Sequence, residues 1–273
     1  MPELPEVETI RRGLLPLVLG RTISSVHVAR GVSKLIQEPQ RVSEFKRGLC
    51  HHRIDGIDRR GKYMLFHLSS KRIWIVHLRM TGSLFHRRQR HRGERFARAW
   101  FRLDDETWLC FADLRKLGMM WLVEDAKSVV GGLGPEPLGE DFTPEWLISA
   151  LSKRNTKLKS ILLDQRVTAG IGNIYADEAL FIARLNPQRA ACSLQSAEIR
   201  RLHTAIRTVL AEAVDDRGST FRDYVDAGGE LGGYQTHLRV FRRTDQPCLQ
   251  CDAHIRRVKI GGRSSHYCPL CQR

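Results

Sequence analysis

The first residues of the chain, Met1-Pro2-Glu3, place a potentially reactive group at its start. Because Pro2 is small, we expect Met1 to be removed, which leaves a secondary amine beside the carboxylate of Glu3. A terminal amine titrates near pH 8 and a lysine near 10.4, so roughly a hundredfold more of the terminal amine is neutral at pH 7. A neutral amine can attack a carbonyl or a masked aldehyde. The alternative is that Pro2 and Pro5 only open a helix.

The residues that follow predict a helix that would hold this terminus in place. Pro5 is favourable in a first helical turn, and the acidic Glu6 and Glu8 are favourable at the positive end of the helix dipole. Apolar residues then recur at helical spacing and predict one buried stripe, formed by Val7, Ile10, Leu14 and Leu17. A positioned nucleophile needs such a rigid support.

The net charge of the chain indicates which class of binding partner to expect. The 273 residues include 45 Lys and Arg against 30 Asp and Glu, a formal charge of +15. This excess favours a polyanion, with nucleic acid the first candidate and an anionic membrane surface the second. We find neither a membrane-spanning apolar run nor a signal peptide, and we therefore expect a cytoplasmic protein with no membrane partner. The length allows two domains.

Four of the seven cysteines have the spacing of a metal site. The pattern C-x2-C-x16-C-x2-C is formed by Cys248, Cys251, Cys268 and Cys271. Two such pairs can complete a tetrahedral zinc site, so we expect one structural Zn²⁺. Two disulfides or an iron–sulfur cluster are the alternatives, and an intracellular chain disfavours the disulfides. The remaining cysteines are predicted to lie in the core, namely Cys50, Cys110 and Cys192.

The two halves of the chain differ in pattern. After the first helix, short apolar segments separated by turns predict a β-sandwich, with strands at 21–28, 53–59, 63–69, 72–78, 98–103 and 107–112. A glycine- and proline-rich linker is predicted at 131–141. Helices are predicted beyond it, one opening at Thr143-Pro144 and others at 155–165, 173–183 and 196–214. The basic run His86–Arg95 predicts a solvated, mobile loop.

The turn at 168–173 leads into one of these helices. Its backbone amides and the positive end of the helix dipole could bind a phosphate, although such a turn can also be a plain helix connection.

Taken together, these motifs resemble the formamidopyrimidine-DNA glycosylase family. The similarity covers nearly the whole chain, through MPELPEVET at the start, RRGKYMLF at 59–66, HLRMTGSL at 77–84, DLRKLG at 113–118, LGPEPLG at 133–139, LLDQRVTAGIGNIYADEALF at 162–181 and the paired cysteines. It implies an α+β protein with a catalytic β-sandwich at 1–130, a helix–two-turns–helix domain at 142–238 and a zinc finger at 239–273.

The resemblance also implies an activity. Members remove oxidised purines, chiefly 8-oxoguanine and formamidopyrimidines, and then cut the strand by β,δ-elimination as abasic-site lyases. By position, Pro2 is similar to the nucleophile that attacks C1′, and Glu3 to the acid that protonates the opening sugar. Lys62 is similar to the lysine that serves the lesion and its 5′ phosphate and donates a proton in β-elimination. Arg263 is similar to the donor for δ-elimination.

The implied partner is double-stranded DNA that contains oxidised bases or abasic sites, bound by a monomer. The target nucleotide must leave the base stack, and the resemblance implies that Met80, Arg115 and Leu117 fill the space it vacates. Lys159 and Asn173 are similar to residues that bind phosphates around the flipped nucleotide, and Arg154 is a further expected DNA contact.

The sequence also departs from the family pattern. Leu117 stands where phenylalanine is usual, and Leu114 stands where proline or valine is common. A Lys-His-x-His stretch is absent, and Gly93–Phe96 takes its place, so a DNA-contacting histidine has no counterpart. Two rivals remain open, an endonuclease VIII-like preference for oxidised pyrimidines and a non-catalytic zinc-ribbon DNA binder. The opening MPELPE and the long loop at 217–237 favour purines, and the presence of Pro2, Glu3 and Lys62 favours catalysis.

Overall fold

The computed structural model describes residues 2–89, 96–220, 224 and 226–273. The chain forms two compact units, one made of Met1–Gly132 with Arg217–Gly233 and the other of Leu133–Asp216 with Tyr234–Arg273. None of the helices in the described ranges combines the length and the apolar character needed to cross a membrane.

The first unit is a two-sheet sandwich with a helix at its start. Its elements are α1 (Leu4–Val18), β1 (Ile23–Val28), β2 (Ile36–Glu38), α2 (Val42–Leu49), β3 (Ile54–Arg60), β4 (Tyr63–Leu68), β5 (Ile73–His77), β6 (Gly82–Arg87), β7 (Ala97–Leu103), β8 (Trp108–Asp113), β9 (Met119–Val123) and α3 (Lys127–Val130). One sheet has the order β1-β7-β8-β6 and the other β2-β9-β5-β4-β3. Only the β2–β9 pair is parallel among the described strand pairs.

Aromatic side chains join the two sheets. Trp74 of β5 lies 4.5 Å from Phe66 of β4 and 4.3 Å from Phe101 of β7, measured between ring centroids. All three are buried in one core cluster with the apolar face of α1. The fold prediction of an α+β protein with an N-terminal sandwich is therefore confirmed.

Several details of this unit differ from the sequence prediction. The helix α2 and the strands β2, β6 and β9 were not predicted. Only Phe45 and Leu49 of α2 are buried, which gives too little apolar periodicity to identify a helix. Leu17 is 41% exposed, and Val18 is buried in its place at the end of α1. The predicted loop His86–Arg95 begins inside β6, and its residues from 90 onward lie outside the described residues, as do residues 93–95 of the substituted stretch.

The second unit is helical and ends in a hairpin. It contains α4 (Pro144–Ser152), α5 (Leu158–Leu162), α6 (Asn173–Ile182), α7 (Ser196–Asp215), β10 (Arg256–Ile260) and β11 (Arg263–Tyr267). The predicted helix at 155–165 is thus shorter than expected. Cys192 is exposed and Cys110 is buried, so the prediction of a core position was wrong for Cys192, which lies in a surface turn after α6.

The segment 217–233 belongs to the first unit rather than to the predicted domain at 142–238. Glu6 of α1 accepts a hydrogen bond from the Ser219 backbone N–H at 2.8 Å. A Cβ atom added at Gly13 would lie 3.0 Å from the Cβ of Ala227, so a glycine permits this close approach. Contacts between residues so distant in sequence explain why the boundary could not be read from composition.

Candidate functional site

The chain terminus is fixed at the start of α1. Pro2 is buried and Glu3 is 1% exposed. The carboxylate of Glu6 accepts the Glu3 backbone N–H at 2.7 Å through one oxygen and the Ser219 N–H at 2.8 Å through the other. Glu6 therefore holds the first turn of α1 and the segment 217–233 together, a role that the sequence analysis did not assign.

Lys62 lies in a tight turn between two strands. Arg60 of β3 pairs with Tyr63 of β4, which leaves Gly61 and Lys62 as the two turn residues. Gly61 has φ +54°, a conformation that glycine adopts without strain. Lys62 is only 6% exposed, and α1 packs against both β3 and β4. The turn therefore lies on the same sheet that supports the helix bearing Pro2 and Glu3.

His77 is a buried neighbour of this turn that the sequence analysis did not single out. Its ring lies 4.5 Å from that of Tyr63, and its Nδ1 accepts the Arg79 backbone N–H at 3.0 Å. Burial, together with the positive charges of Arg79 and Lys62, lowers the pKa of His77 to about 3. The imidazole is therefore neutral at physiological pH. Its position inside the HLRMTGSL motif was the only available signal in the sequence.

Asp113 organises the loop that follows β8. Its carboxylate, 1% exposed, accepts backbone N–H bonds from Arg115 at 3.0 Å and from Leu117 and Gly118 at 2.7 Å each. The side chains of residues 114–117 remain exposed, with Leu117 at 39%. Thr81, directly after the half-buried Met80, donates to the same carboxylate. The structure thus brings together the Met80 turn and the loop of Arg115 and Leu117.

The second unit places Lys159 in its interior. Lys159 is completely buried, and its Nζ donates to Asp177 Oδ1 at 2.6 Å and to the Asn173 carbonyl at 2.7 Å. This arrangement does not match the expected direct phosphate contact, because the ammonium has no exposed surface and its neighbours are protein oxygens. Asn173 begins α6, and its side-chain amide donates to the Ser264 carbonyl of β11 at 2.9 Å.

Arg154 and Arg263 are both exposed, in different settings. Arg154 lies 3.3 Å from Asp164 and shares that carboxylate with Arg166. Arg263 begins β11 after the turn Gly261-Gly262, whose φ angles of +54° and +77° favour glycine. The side chain of Arg263 is exposed, and it has no ion pair with the residues that the structure describes.

The four clustered cysteines form one structural zinc site, as predicted. Their Sγ atoms all lie within 4.8 Å of one another, with separations of 3.9 Å for Cys248–Cys271, 3.4 Å for Cys251–Cys268 and 3.3 Å for Cys251–Cys271. A tetrahedral ion with Zn–S bonds of about 2.3 Å requires sulfur separations of about 3.8 Å, so the ligands fit with little movement. Four thiolates close the shell and leave no position for a catalytic water.

Three family models match the chain and together cover most of it. They are the formamidopyrimidine-DNA glycosylase N-terminal domain over residues 1–120, the formamidopyrimidine-DNA glycosylase H2TH domain over 133–224, and the zinc finger found in FPG and IleRS over 245–273.

Whole-chain similarity extends this result. A formamidopyrimidine-DNA glycosylase of Pelotomaculum thermopropionicum is 45% identical over 277 residues, covering 100% of this chain and 99% of the relative. A Lactococcus lactis Fpg variant in complex with Fapy-dG-containing DNA superimposes with a TM-score of 0.93 at 34% identity, with 100% of both chains covered. The Lactococcus lactis Fpg in complex with abasic-site DNA gives 0.92 at 34% identity, with 99% of each chain covered. The chain therefore belongs to the formamidopyrimidine-DNA glycosylase family.

Proposed function

We propose that this protein is a bifunctional base-excision repair enzyme, a DNA glycosylase and abasic-site lyase for oxidised purines. The main support is the buried start of α1, where Pro2 is buried and Glu6 accepts the Glu3 backbone N–H, in a chain that matches all three family domains. The Lactococcus lactis structures contain Fapy-dG or an abasic site in their DNA, the two substrates that such an enzyme would process in turn.

The proposed reaction begins at the amine of Pro2, after loss of Met1. Its nitrogen lone pair attacks C1′, the bond from C1′ to the base breaks, and the base leaves with the proton that the Pro2 nitrogen loses. Glu3 donates a proton to the sugar oxygen as the ring opens, and the result is an iminium between Pro2 and C1′. A secondary amine is well suited to this step, because its iminium has no N–H proton to lose and so remains an electron sink.

Strand cleavage follows from the same intermediate. Loss of a C2′ proton and departure of the 3′ phosphate constitute β-elimination, in which we assign Lys62 as a proton donor. Loss of a C4′ proton and departure of the 5′ phosphate constitute δ-elimination, in which we assign Arg263 as the proton donor. Water then hydrolyses the iminium and returns the free amine of Pro2. The burial of Lys62 in a rigid two-residue turn supports its assignment, since catalytic groups must be held in position.

Double-stranded DNA is the proposed partner, bound by the monomer. Met80, Arg115 and Leu117 would enter the duplex where the nucleotide has left, supported by the Asp113 carboxylate that fixes their loop. Asn173 and Arg263 would contact phosphates, the exposed Arg154 is a third candidate, and Lys159 would act from the interior by fixing Asn173. The net charge of +15 supports a phosphate-rich partner.

Borohydride trapping tests the covalent step. The protein, tagged only at its C-terminus, is incubated with an 8-oxoguanine duplex and reduced during turnover, and the adduct is mapped by mass spectrometry. We expect one protein–DNA adduct at residue 2. A matched protein with an N-terminal extension should give no adduct and no strand cleavage. Full lyase activity of the extended protein would exclude Pro2 as the nucleophile, and Pro2→Gly should retain partial activity because glycine keeps an amine.

A further inference from the structure

Asp177 of α6 is a completely buried carboxylate with partners on two other elements of the second unit. Its Oδ1 accepts Lys159 Nζ of α5 at 2.6 Å and the Ser265 hydroxyl of β11 at 2.7 Å. Its Oδ2 accepts the His266 backbone N–H at 2.9 Å, and His266 Nδ1 lies 3.0 Å from the same oxygen. A single side chain of α6 therefore joins α5, α6 and the zinc-finger hairpin.

The two proposed phosphate ligands of this unit, Asn173 and Arg263, lie close in sequence to Asp177 and to its hairpin partners. Asn173 lies one helical turn before Asp177 on the same face of α6, and it donates to the Ser264 carbonyl at 2.9 Å. Arg263 precedes Ser264 directly and is exposed. The hairpin turn also contacts α5, since a Cβ added at Gly261 would lie 3.1 Å from Ser160 Oγ.

We propose that Asp177 is a positioning residue that fixes strand β11 against α6, so that Arg263 is held in place to contact a DNA phosphate. This inference rests on the proposed function. Lys159 neutralises the buried carboxylate and leaves its remaining lone pairs to the hairpin, which explains why a lysine without exposed surface lies beside proposed DNA ligands. The four polar contacts satisfy the carboxylate, as a buried charge requires.

A double-mutant cycle between Asp177 and Arg263 separates positioning from general folding. Binding to a duplex with a tetrahydrofuran abasic analogue, which cannot be cleaved, is measured from about 50 to 200 mM salt. We expect Arg263→Ala to reduce the slope of log affinity against log salt by about one, the loss of one phosphate contact. Asp177→Asn should reduce it by a similar amount and weaken binding about tenfold, since one charge-assisted contact is disturbed.

The double variant of Asp177→Asn and Arg263→Ala distinguishes positioning from a general structural role. If Asp177 acts through Arg263, then Asp177→Asn should weaken binding less than about twofold in the Arg263→Ala background, because contacting groups in one network are not additive. Losses that multiply in full would show that Asp177 is only structural and would overturn the proposal.

A milder variant covers the case in which Asp177→Asn loses zinc or does not fold. Ser265→Ala removes one hairpin contact and leaves the Lys159–Asp177 pair intact, and it should weaken binding about fivefold in the native background. In the Arg263→Ala background, Ser265→Ala should have little effect on DNA binding. Ser152→Ala, at an exposed helical serine, is the control and should bind as the wild type does. Unchanged binding by Ser265→Ala would contradict the proposal, whereas failure of the wild type to bind the analogue would contradict the proposed function instead.

Discussion

The hydroxyl of Thr81 donates to Asp113 Oδ1 at 2.5 Å and accepts the Arg115 backbone N–H at 3.1 Å. Thr81 thereby joins the turn that carries Met80 to the loop that carries Arg115 and Leu117. Two segments that are more than thirty residues apart in sequence therefore form one surface. The Asp113 carboxylate that joins them is almost completely buried.

Thr81→Val should loosen this surface, because it keeps the shape of the side chain and removes the hydroxyl. We expect the free energy of unfolding to fall by about 1–2 kcal/mol, together with weaker binding to lesion-containing duplex. Thr107→Val is the matched control, since Thr107 donates to Asp105 at 2.6 Å in a turn that carries none of the proposed ligands. The control should lose similar stability and retain its affinity, as measured by chemical unfolding and fluorescence anisotropy. Equal losses of affinity in both variants would contradict the assignment.

Leu117→Phe tests the residue that departs from the family pattern. Leucine can fill a gap in the duplex but cannot stack, and stacking of an aromatic ring on a base contributes about 1–3 kcal/mol. We therefore expect tighter binding to lesion duplex, with little change in single-turnover excision once the base is flipped. The gain should shrink when the lesion lies in an already weakened pair. Leu114→Phe, at another exposed position of the same loop, should give no gain. Lower affinity for Leu117→Phe would mean that another side chain fills the gap.

Glu3→Gln and Lys62→Ala should affect different steps. Glu3→Gln retains the shape but removes the acid, so base excision should fall by about 10²–10⁴-fold while cleavage of a pre-formed abasic site falls less. Lys62→Ala should mainly reduce excision of oxidised guanine and keep some activity on other lesions. Single-turnover assays on 8-oxoguanine and abasic duplexes give both profiles. Identical profiles for the two variants would show that these roles are wrongly divided.

Cys268→Ser should remove the zinc ion and with it DNA binding, because the metal supplies folding energy to the hairpin that carries Arg263. The sandwich of the first unit should remain folded, since none of the four ligands lies in it. Metal analysis should give one zinc per wild-type chain and none for the variant. Cys192→Ser, at an exposed cysteine outside the cluster, should keep both zinc and activity. Full activity in a zinc-free preparation would exclude the structural role.

His77 should make the stability of the first unit depend on pH. Its pKa is about 3 in the folded protein and 6.5 when solvated, so only the unfolded chain binds a proton between these values. Stability is therefore complete above about pH 6.5 and falls as the pH is lowered towards 3, by about 2 kcal/mol at pH 5. His77→Asn, which can still accept the Arg79 N–H, should remove this part of the pH dependence in urea unfolding experiments.

The local patterns of the sequence determined the zinc site and the class of fold, and they predicted a nucleophilic terminus. The proposed nucleophile and the zinc ligands follow from adjacent or closely spaced residues, because a helix start and a two-cysteine turn are local structures. Six of the nine described strands of the sandwich were predicted to within a few residues, since their apolar runs are separated by turn residues, whereas β2, β6 and β9 were missed. The catalytic assignments of Pro2, Glu3, Lys62 and Arg263 stay predictions until the trapping and mutational experiments are done.

The tertiary structure decided which buried charges hold these parts in place. Glu6 binds Ser219, 213 residues away, and Asp177 binds Ser265 and His266, 88 and 89 residues away. Lys159, which the family resemblance assigned to a phosphate, has Asp177 as its partner instead. Neither composition nor spacing predicts such pairs. A buried carboxylate loses its bound water only when the whole protein has folded around it, and the donors that replace this water come from elements that are distant in sequence.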